Sequence, residues 1–404
     1  MQHRIVNIKN LLFYLIPFAL GCYIYATPAI IIAFIAFWIL EGNLKSKLTQ
    51  FLNNKVALLF VSFYLLHLLG MFYTHNPSAG WFDLQVKLSI LLFPVALVSE
   101  GAMDFRKQKH FTAMFATGLT LNGLICLGHA VWLYLAKDKY IFQYKEFSLF
   151  LHPTYYSMYI DIAFALGFSV ITRQEAMLSK LEKRYFGMLF CFLIFMLILL
   201  QSKTGLITSG IVIFLILIRY ISFTKLWTVS IASVIIISLI AALTEHFIIN
   251  TGPSRFQSVG NIMLNDKPVD TKSVESSQAR ILIWRSALPV IKEFLLYGVG
   301  TGGVEDALVK QYSKNQYTGI MKSRLNAHNE YMQVTIELGL IGLLCLLSCL
   351  FIPLYLSIRQ RRFVYFIFLT VLIINFLTES VLETQGGTMF YGFFNSLLMF
   401  NFVI

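Results

Sequence analysis

Residues 329–357 read NEYMQVTIELGLIGLLCLLSCLFIPLYLS, and their only charges are Glu330 and Glu337, both in the first third. From Leu338 to Ser357 no residue is charged. An α-helix rises about 1.5 Å per residue, so twenty such residues reach roughly 30 Å, the thickness of a bilayer's hydrocarbon core. A run of this length and polarity reads as a membrane-spanning helix.

Comparable runs recur along the chain, at 10–24, 27–41, 56–73, 84–99, 111–135, 154–172, 185–201, 204–220, 226–249, 329–357, 363–380 and 387–403. The first two are short, and the break at Ala26-Thr27-Pro28 reads either as a kink or as a loop. The runs at 84–99 and 387–403 are marginal in length. The expected architecture is all-α, a polytopic membrane protein of about twelve transmembrane helices, with ten or eleven left open. Three parts follow: a membrane bundle over 1–249 with about nine helices, a long outer loop over 250–328, and about three membrane helices over 329–404.

Composition agrees. Of 404 residues 57% are hydrophobic and 13% charged, with a mean hydropathy of +0.71. A soluble domain carries roughly a quarter charged residues, so half the usual surface charge is missing. Loop charge sets an orientation. With the N-terminus inside, the inner loops hold Arg4, Lys9, Lys45, Lys47, Lys55, Arg106, Lys107 and Lys109, followed by Arg173, Lys180, Lys183, Arg184, Arg219, Lys225, Arg359, Arg361 and Arg362. The short outer loops hold Lys137, Lys139, Lys145 and Lys203. This alternation is the positive-inside pattern, and it places both termini in the cytoplasm and 250–328 outside. It also accounts for the net charge of +12 as contact with anionic membrane lipid, without nucleic acid. The basic, apolar start lacks a small-x-small cleavage site and reads as a first span. The five cysteines all lie within apolar runs and form no disulfide or metal-ligand pattern.

The outer segment carries the chemistry. SSQARILIWRSALPVIKEFLLYGVGTGG (276–303) places Ile281, Trp284, Leu288, Ile291 and Leu295 at helical spacing. This predicts an amphipathic helix ending near Tyr297, where Gly298, Gly300, Gly302 and Gly303 follow. Trp284 reads as its interfacial anchor and Arg280 lies one turn before it. Next, His328 and Asn329 stand at the mouth of the 329–357 helix, with Asn326 or Asn329 as its cap. His328 alone reads equally as a polar helix-start residue. Glu337 lies deeper in the apolar run, where an ionisable group marks a polar cavity. In LFLHPTYYSMYID (149–161), His152, Tyr155, Tyr156 and Tyr159 read as an interfacial aromatic belt, or else as a ligand platform or a second polar lining of the site. Glu379, Glu383, Thr384 and Gln385 read as a solvated turn, with a ligand contact as the alternative.

These residues carry a resemblance. His328-Asn329, nine residues, then Gly339-Leu340-Ile341-Gly342 is similar to the ligase pattern of the O-antigen ligase and polymerase superfamily. The ARILIW block (279–284) with its glycine-rich close, the span count and the single long outer loop resemble the same family. The resemblance implies a GT-C-like fold in the bacterial inner membrane with its active site facing the periplasm. It further implies transfer of a glycan from an undecaprenyl-diphosphate donor to a sugar hydroxyl, for a ligase one on the lipid A core. Arg280 then matches the family's outer-loop arginine at the diphosphate, and His328 its candidate base. Guanidinium forks suit a diphosphate and imidazole suits deprotonation near neutral pH. A second family cation falls on Lys203 in QSKTGL (201–206), where lysine keeps the charge but loses the fork. The bland reading of Lys203 is a snorkelling residue in a tight hairpin.

No Asp-x-Asp occurs, and Asp266, Asp270, Glu305 and Asp306 suggest no cage, so transfer without metal or cofactor is expected. The ligase reading is preferred. A polymerase or protein O-oligosaccharyltransferase shares its chemistry and differs in acceptor. A transporter or flippase of lipid-linked sugars is the alternative of another class, disfavoured because the two halves of the chain are unlike.

Overall fold

A computed structural model describes residues 2–173, 178–220, 271 and 277–402, and all its regular elements are helices. They are α1 (Gln2–Cys22), α2 (Thr27–Leu40), α3 (Leu44–Leu52), α4 (Lys55–Gly70), α5 (Pro77–Leu97), α6 (Phe105–Lys137), α7 (Tyr144–Phe147), α8 (Pro153–Arg173), α9 (Lys180–Leu200) and α10 (Lys203–Tyr220). After the undescribed stretch come α11 (Ser277–Glu293), α12 (Val304–Lys314), α13 (Thr318–Lys322), α14 (Glu330–Arg359), α15 (Phe363–Phe376) and α16 (Gln385–Phe400). Among the described residues six helices are long and apolar enough to cross a membrane: α1, α5, α6, α8, α9 and α14. A seventh candidate is the pair Ile24–Leu40 and Leu44–Leu52, bent by 110°. The helices α4 and α15 are apolar but shorter. The expected span at 226–249 lies outside the described residues.

Helix starts follow local chemistry. Asn54, Asn76 and Asp104 accept backbone N–H bonds at the N-termini of α4, α5 and α6, and Ser179 with Glu182 forms a capping box on α9. The break near Thr27 is a reversal: a 3-10 turn, Ile24–Ala26, folds α2 back along α1. Lys9 then reaches Glu41 at 2.8 Å and Glu100 at 2.7 Å, and Lys47 meets Glu41 at 2.7 Å. These pairs staple the expected inner ends of α1, α2 and α3 to the α5–α6 turn.

In lipid, helix association rests on close packing more than on apolar burial. Accordingly Gly118 lies against Phe18, where a Cβ would come within 2.3 Å of its carbonyl oxygen, and α1 and α6 cross tightly. The core is aromatic. Phe93, Phe111, Phe115, Phe393 and Phe394 are fully buried, and Tyr159 stacks on Phe390 at 4.1 Å, a contact worth about 0.5–1.5 kcal/mol.

One expectation is corrected. The run at 329–357 is not one straight span, because α14 breaks at Gly339 (φ 65°, ψ −160°). The strand of chain after α11 crosses there: Leu340 N donates to Leu295 O at 2.8 Å, and Val299 N donates to Ile336 O at 2.8 Å. A Cβ at Gly339 would sit 2.3 Å from the Leu296 carbonyl carbon, so the backbones meet where only glycine fits. The apolar letters around Gly339 concealed the break.

Candidate active site

The turn between α15 and α16, residues 377–384, gathers the N-terminal ends of α8, α10, α11 and α14. Tyr155 of α8 donates to Ser380 O at 3.4 Å, and Thr204 of α10 meets the Thr378 hydroxyl at 2.9 Å. Asn329 caps α14 by accepting from Met332 N at 2.9 Å, while its own Nδ2 donates to Leu377 O at 3.0 Å. Helix N-termini present uncompensated N–H groups and positive dipole ends, so their convergence favours an anion.

At the centre stands Glu379, 5% exposed. Its Oε1 accepts from an Arg280 terminal nitrogen at 2.6 Å and its Oε2 lies 3.2 Å from His328 Nδ1. Burial opposes ionisation of Glu379, but the His328 hydrogen bond and the Arg280 charge outweigh it and hold the carboxyl below its ordinary value. An ionised carboxylate only accepts, so His328 Nδ1 donates to it and Nε2 is the ring nitrogen left to face a substrate. His328 and Arg280 each keep 30% of the side chain exposed, so both tips remain reachable. His328 also holds a left-handed backbone (φ 45°), with its N–H bonded to Asn326 Oδ1 at 3.1 Å. Such strain persists where the surroundings overdetermine it.

Trp284, expected as an interfacial anchor, donates Nε1 to Ala327 O at 3.1 Å and so braces the loop that carries His328. The packed face of α11 is Ala279, Leu282, Ile283, Ala287 and Val290, whereas Leu288 and Leu295 of the expected stripe are exposed. Small alanines bring α11 close to its neighbours, which a count of large apolar residues overlooks. The helix ends at Glu293, with turns following to Tyr297.

Lys203 opens α10 between Ser202, which donates to Thr154 at 3.1 Å, and Thr204, so its backbone joins the same convergence. His152 precedes α8, its ring 5.7 Å from that of Tyr155. Burial lowers the pKa of His152 to about 4, leaving it neutral at pH 7. Tyr155 is 7% exposed and packs beneath the turn instead of offering a face to a sugar.

A cavity of about 480 Å³ opens beside His328 and runs past Gln333 to Asp83, Glu337 and Glu383. Glu337 is 1% exposed, with Oε2 3.5 Å from His67 Nε2 and 3.8 Å from Lys87 Nζ. At the rim Arg324 pairs with Glu305 and, at 2.9 Å, with Asp306. Asp266 and Asp270 lie outside the described residues.

Several residues escaped the sequence reading. Glu379 and Glu383, read as a solvated turn, are a buried bridge and a partner of Lys87 at 2.7 Å. His67 and Lys87 had a usable signal, since ionisable groups within apolar runs are rarely idle. Glu379 sits at the very end of the 363–380 run, and its partners lie 51 and 99 residues away in the chain, so its signal was weak.

Fold and site together define an all-helical membrane protein with a cationic and basic site at converging helix N-termini. Residues 188–347 match the family described as O-antigen ligase, so the chain carries that family's domain. The match spans Lys203, Arg280 and His328 and stops before Glu379. Over 237 residues, 54% of this chain, the sequence is 24% identical to an uncharacterized protein of Haemophilus influenzae. The chain spans 58% of that protein's length.

Proposed function

We propose that the protein is a membrane glycosyltransferase that moves a glycan from undecaprenyl diphosphate to a sugar hydroxyl of the lipid A core. Its site faces the periplasm, its termini lie in the cytoplasm, and about twelve helices cross the bilayer, as loop charge and apolar runs suggest. The observation that carries the reading is the Arg280–Glu379–His328 bridge, at 2.6 and 3.2 Å, at the mouth of a cavity.

In this mechanism Glu379 orients His328, whose Nε2 takes the proton of the acceptor hydroxyl. The acceptor oxygen attacks the anomeric carbon from the face opposite the diphosphate, inverting its configuration. The carbon–oxygen bond to the diphosphate breaks and the electron pair leaves with it. Only part of the Arg280 fork is engaged by Glu379, and its remaining N–H groups receive the diphosphate with Lys203 and the helix N-termini. Cationic groups thereby take on the neutralisation of the leaving group.

The acceptor decides between the ligase and its relatives. Purified protein in detergent, given one undecaprenyl-diphosphate glycan, is offered a lipid A-core, a second molecule of donor or a serine-bearing peptide. Product on the lipid A-core alone is the expected outcome. Extension of the donor identifies a polymerase, and glycopeptide a protein O-oligosaccharyltransferase. Donor crossing a sealed vesicle without any product would leave transport as the activity.

A further inference from the structure

Beside the transfer site lies a second group of charges that the mechanism does not use. His67 is in the last turn of α4, Asp83 and Lys87 lie one turn apart on α5, Glu337 precedes the Gly339 break, and Glu383 sits just before α16. Lys87 donates to Asp83 Oδ1 and to Glu383 Oε1. Three carboxylates thus face one ammonium, while His67 and Lys87 are wholly buried, Glu337 is 1% exposed and Asp83 is 9% exposed. Uncompensated charge in such surroundings is costly.

The atoms left without partners converge. His67 Nδ1 lies 2.8 Å from Phe63 O, and a carbonyl only accepts, so Nδ1 bears a proton and the neutral ring presents its lone pair at Nε2. That lone pair faces Glu337 Oε2 at 3.5 Å, beyond ordinary hydrogen-bond length. Neither His67 Nε2, Glu337 Oε2 nor Asp83 Oδ2 has a hydrogen-bond partner, although all three atoms are buried. His67, Asp83 and Glu337 each bring a ligand atom within 4.8 Å of the others.

We propose that His67, Asp83 and Glu337 bind one divalent first-row transition cation, Zn²⁺ or Mn²⁺ in kind, at the floor of the cavity. Two positive charges offset carboxylates that Lys87 alone does not balance, with His67 ligating through its neutral ring. One imidazole with two carboxylates suits such an ion, whereas Mg²⁺ and Ca²⁺ take oxygen ligands. Lys87 holds the other oxygen of Asp83, and the Phe63 carbonyl fixes the His67 tautomer, which is the outer support that metal ligands need. Entry is open, because Asp83 and Glu337 line the cavity that reaches the surface beside Arg324. The ion ties α4 and α5 to the 330–338 segment and so steadies the chain that bears His328. It takes no part in the transfer step, and the proposal stands apart from the assigned activity.

The test is metal content. Purified protein is stripped with EDTA, then dialysed against micromolar Zn²⁺ or Mn²⁺ with millimolar Mg²⁺ present, and counted by mass spectrometry. The wild type should retain about one ion per chain and melt at a higher temperature than the stripped form. His67→Gln and Glu337→Gln should lose at least tenfold of the bound metal, whereas His328→Ala should keep it. Co²⁺-loaded wild type needs no substitution and should show visible d–d absorption. Wild type that holds less than about a tenth of an ion per chain would mean that protons balance the carboxylates, and the proposal fails. Unchanged metal content in both glutamine variants would overturn it equally.

Discussion

Glu379 does two things that cannot be separated by inspection: it fixes the His328 tautomer and it neutralises Arg280. Its depressed pKa supplies a handle on this bridge. A carboxyl whose folded pKa lies below its unfolded value adds stability that is complete above the unfolded value, about 4.3 for Glu. That stability disappears as pH falls through the folded value. The melting-temperature difference between wild type and Glu379→Gln should therefore stay flat from pH 8 to about 5 and shrink below about pH 4. His152 feels the Glu379 charge, so the comparison is made in a His152→Gln background, where its own titration is absent from both proteins. A difference that widens on acidification would mean that Glu379 is protonated in the native state. Arg280 and His328 were legible in the sequence because each sits in a local pattern, ARILIW and HN-x9-GLIG. Glu379 was not, since a turn of Thr-Glu-Ser looks solvated until four helix N-termini close over it.

The helices themselves were largely legible. Apolar runs at 56–73, 111–135 and 363–380 became Lys55–Gly70, Phe105–Lys137 and Phe363–Phe376. Run length is a direct consequence of bilayer thickness, so it is written in the residues themselves. The broken helix at Gly339 is a tertiary event and is not. There the GTGG loop threads between α4 and α14: Thr301 donates to His67 O at 2.6 Å, and Gly300 N donates to Glu337 O at 3.0 Å. The glycines of the motif thus act by letting two backbones cross directly below the site. Gly339→Ala should lose about 1–3 kcal/mol from the backbone conformation alone, and more from the clash with Leu296. Thermal unfolding in detergent reads this directly. Gly187→Ala, where a Cβ meets nothing within 4 Å, is the matched control and should unfold like the wild type. Equal stability of both variants would show that the Gly339 crossing is looser than described.

For the whole molecule the site's position relative to the bilayer decides everything else, because the proposed donor and acceptor would meet on one side only. In the proposed orientation the outer segment lies in the periplasm and the Arg359–Arg362 turn in the cytoplasm, the arrangement that loop charge favours. With native cysteines replaced, Ser313→Cys should react with an impermeant thiol reagent in cells whose outer membrane alone is permeabilised. Gln360→Cys should stay unlabelled until the inner membrane is opened. Both positions are solvent-exposed, so the reverse pattern would invert the protein and remove the donor from the site. The central claim is a division of labour between a base and a diphosphate clamp, and donor binding measured beside single-turnover transfer on the same purified samples tests it most directly. His328→Ala should bind the lipid-linked donor as wild type does and lose roughly 10²–10⁴-fold in transfer, the scale of a removed general base. Arg280→Ala should lose donor affinity and transfer together, with only partial recovery in Arg280→Lys, which lacks the fork. Wild-type transfer by folded His328→Ala would reduce the histidine to a helix-start residue and contradict the account.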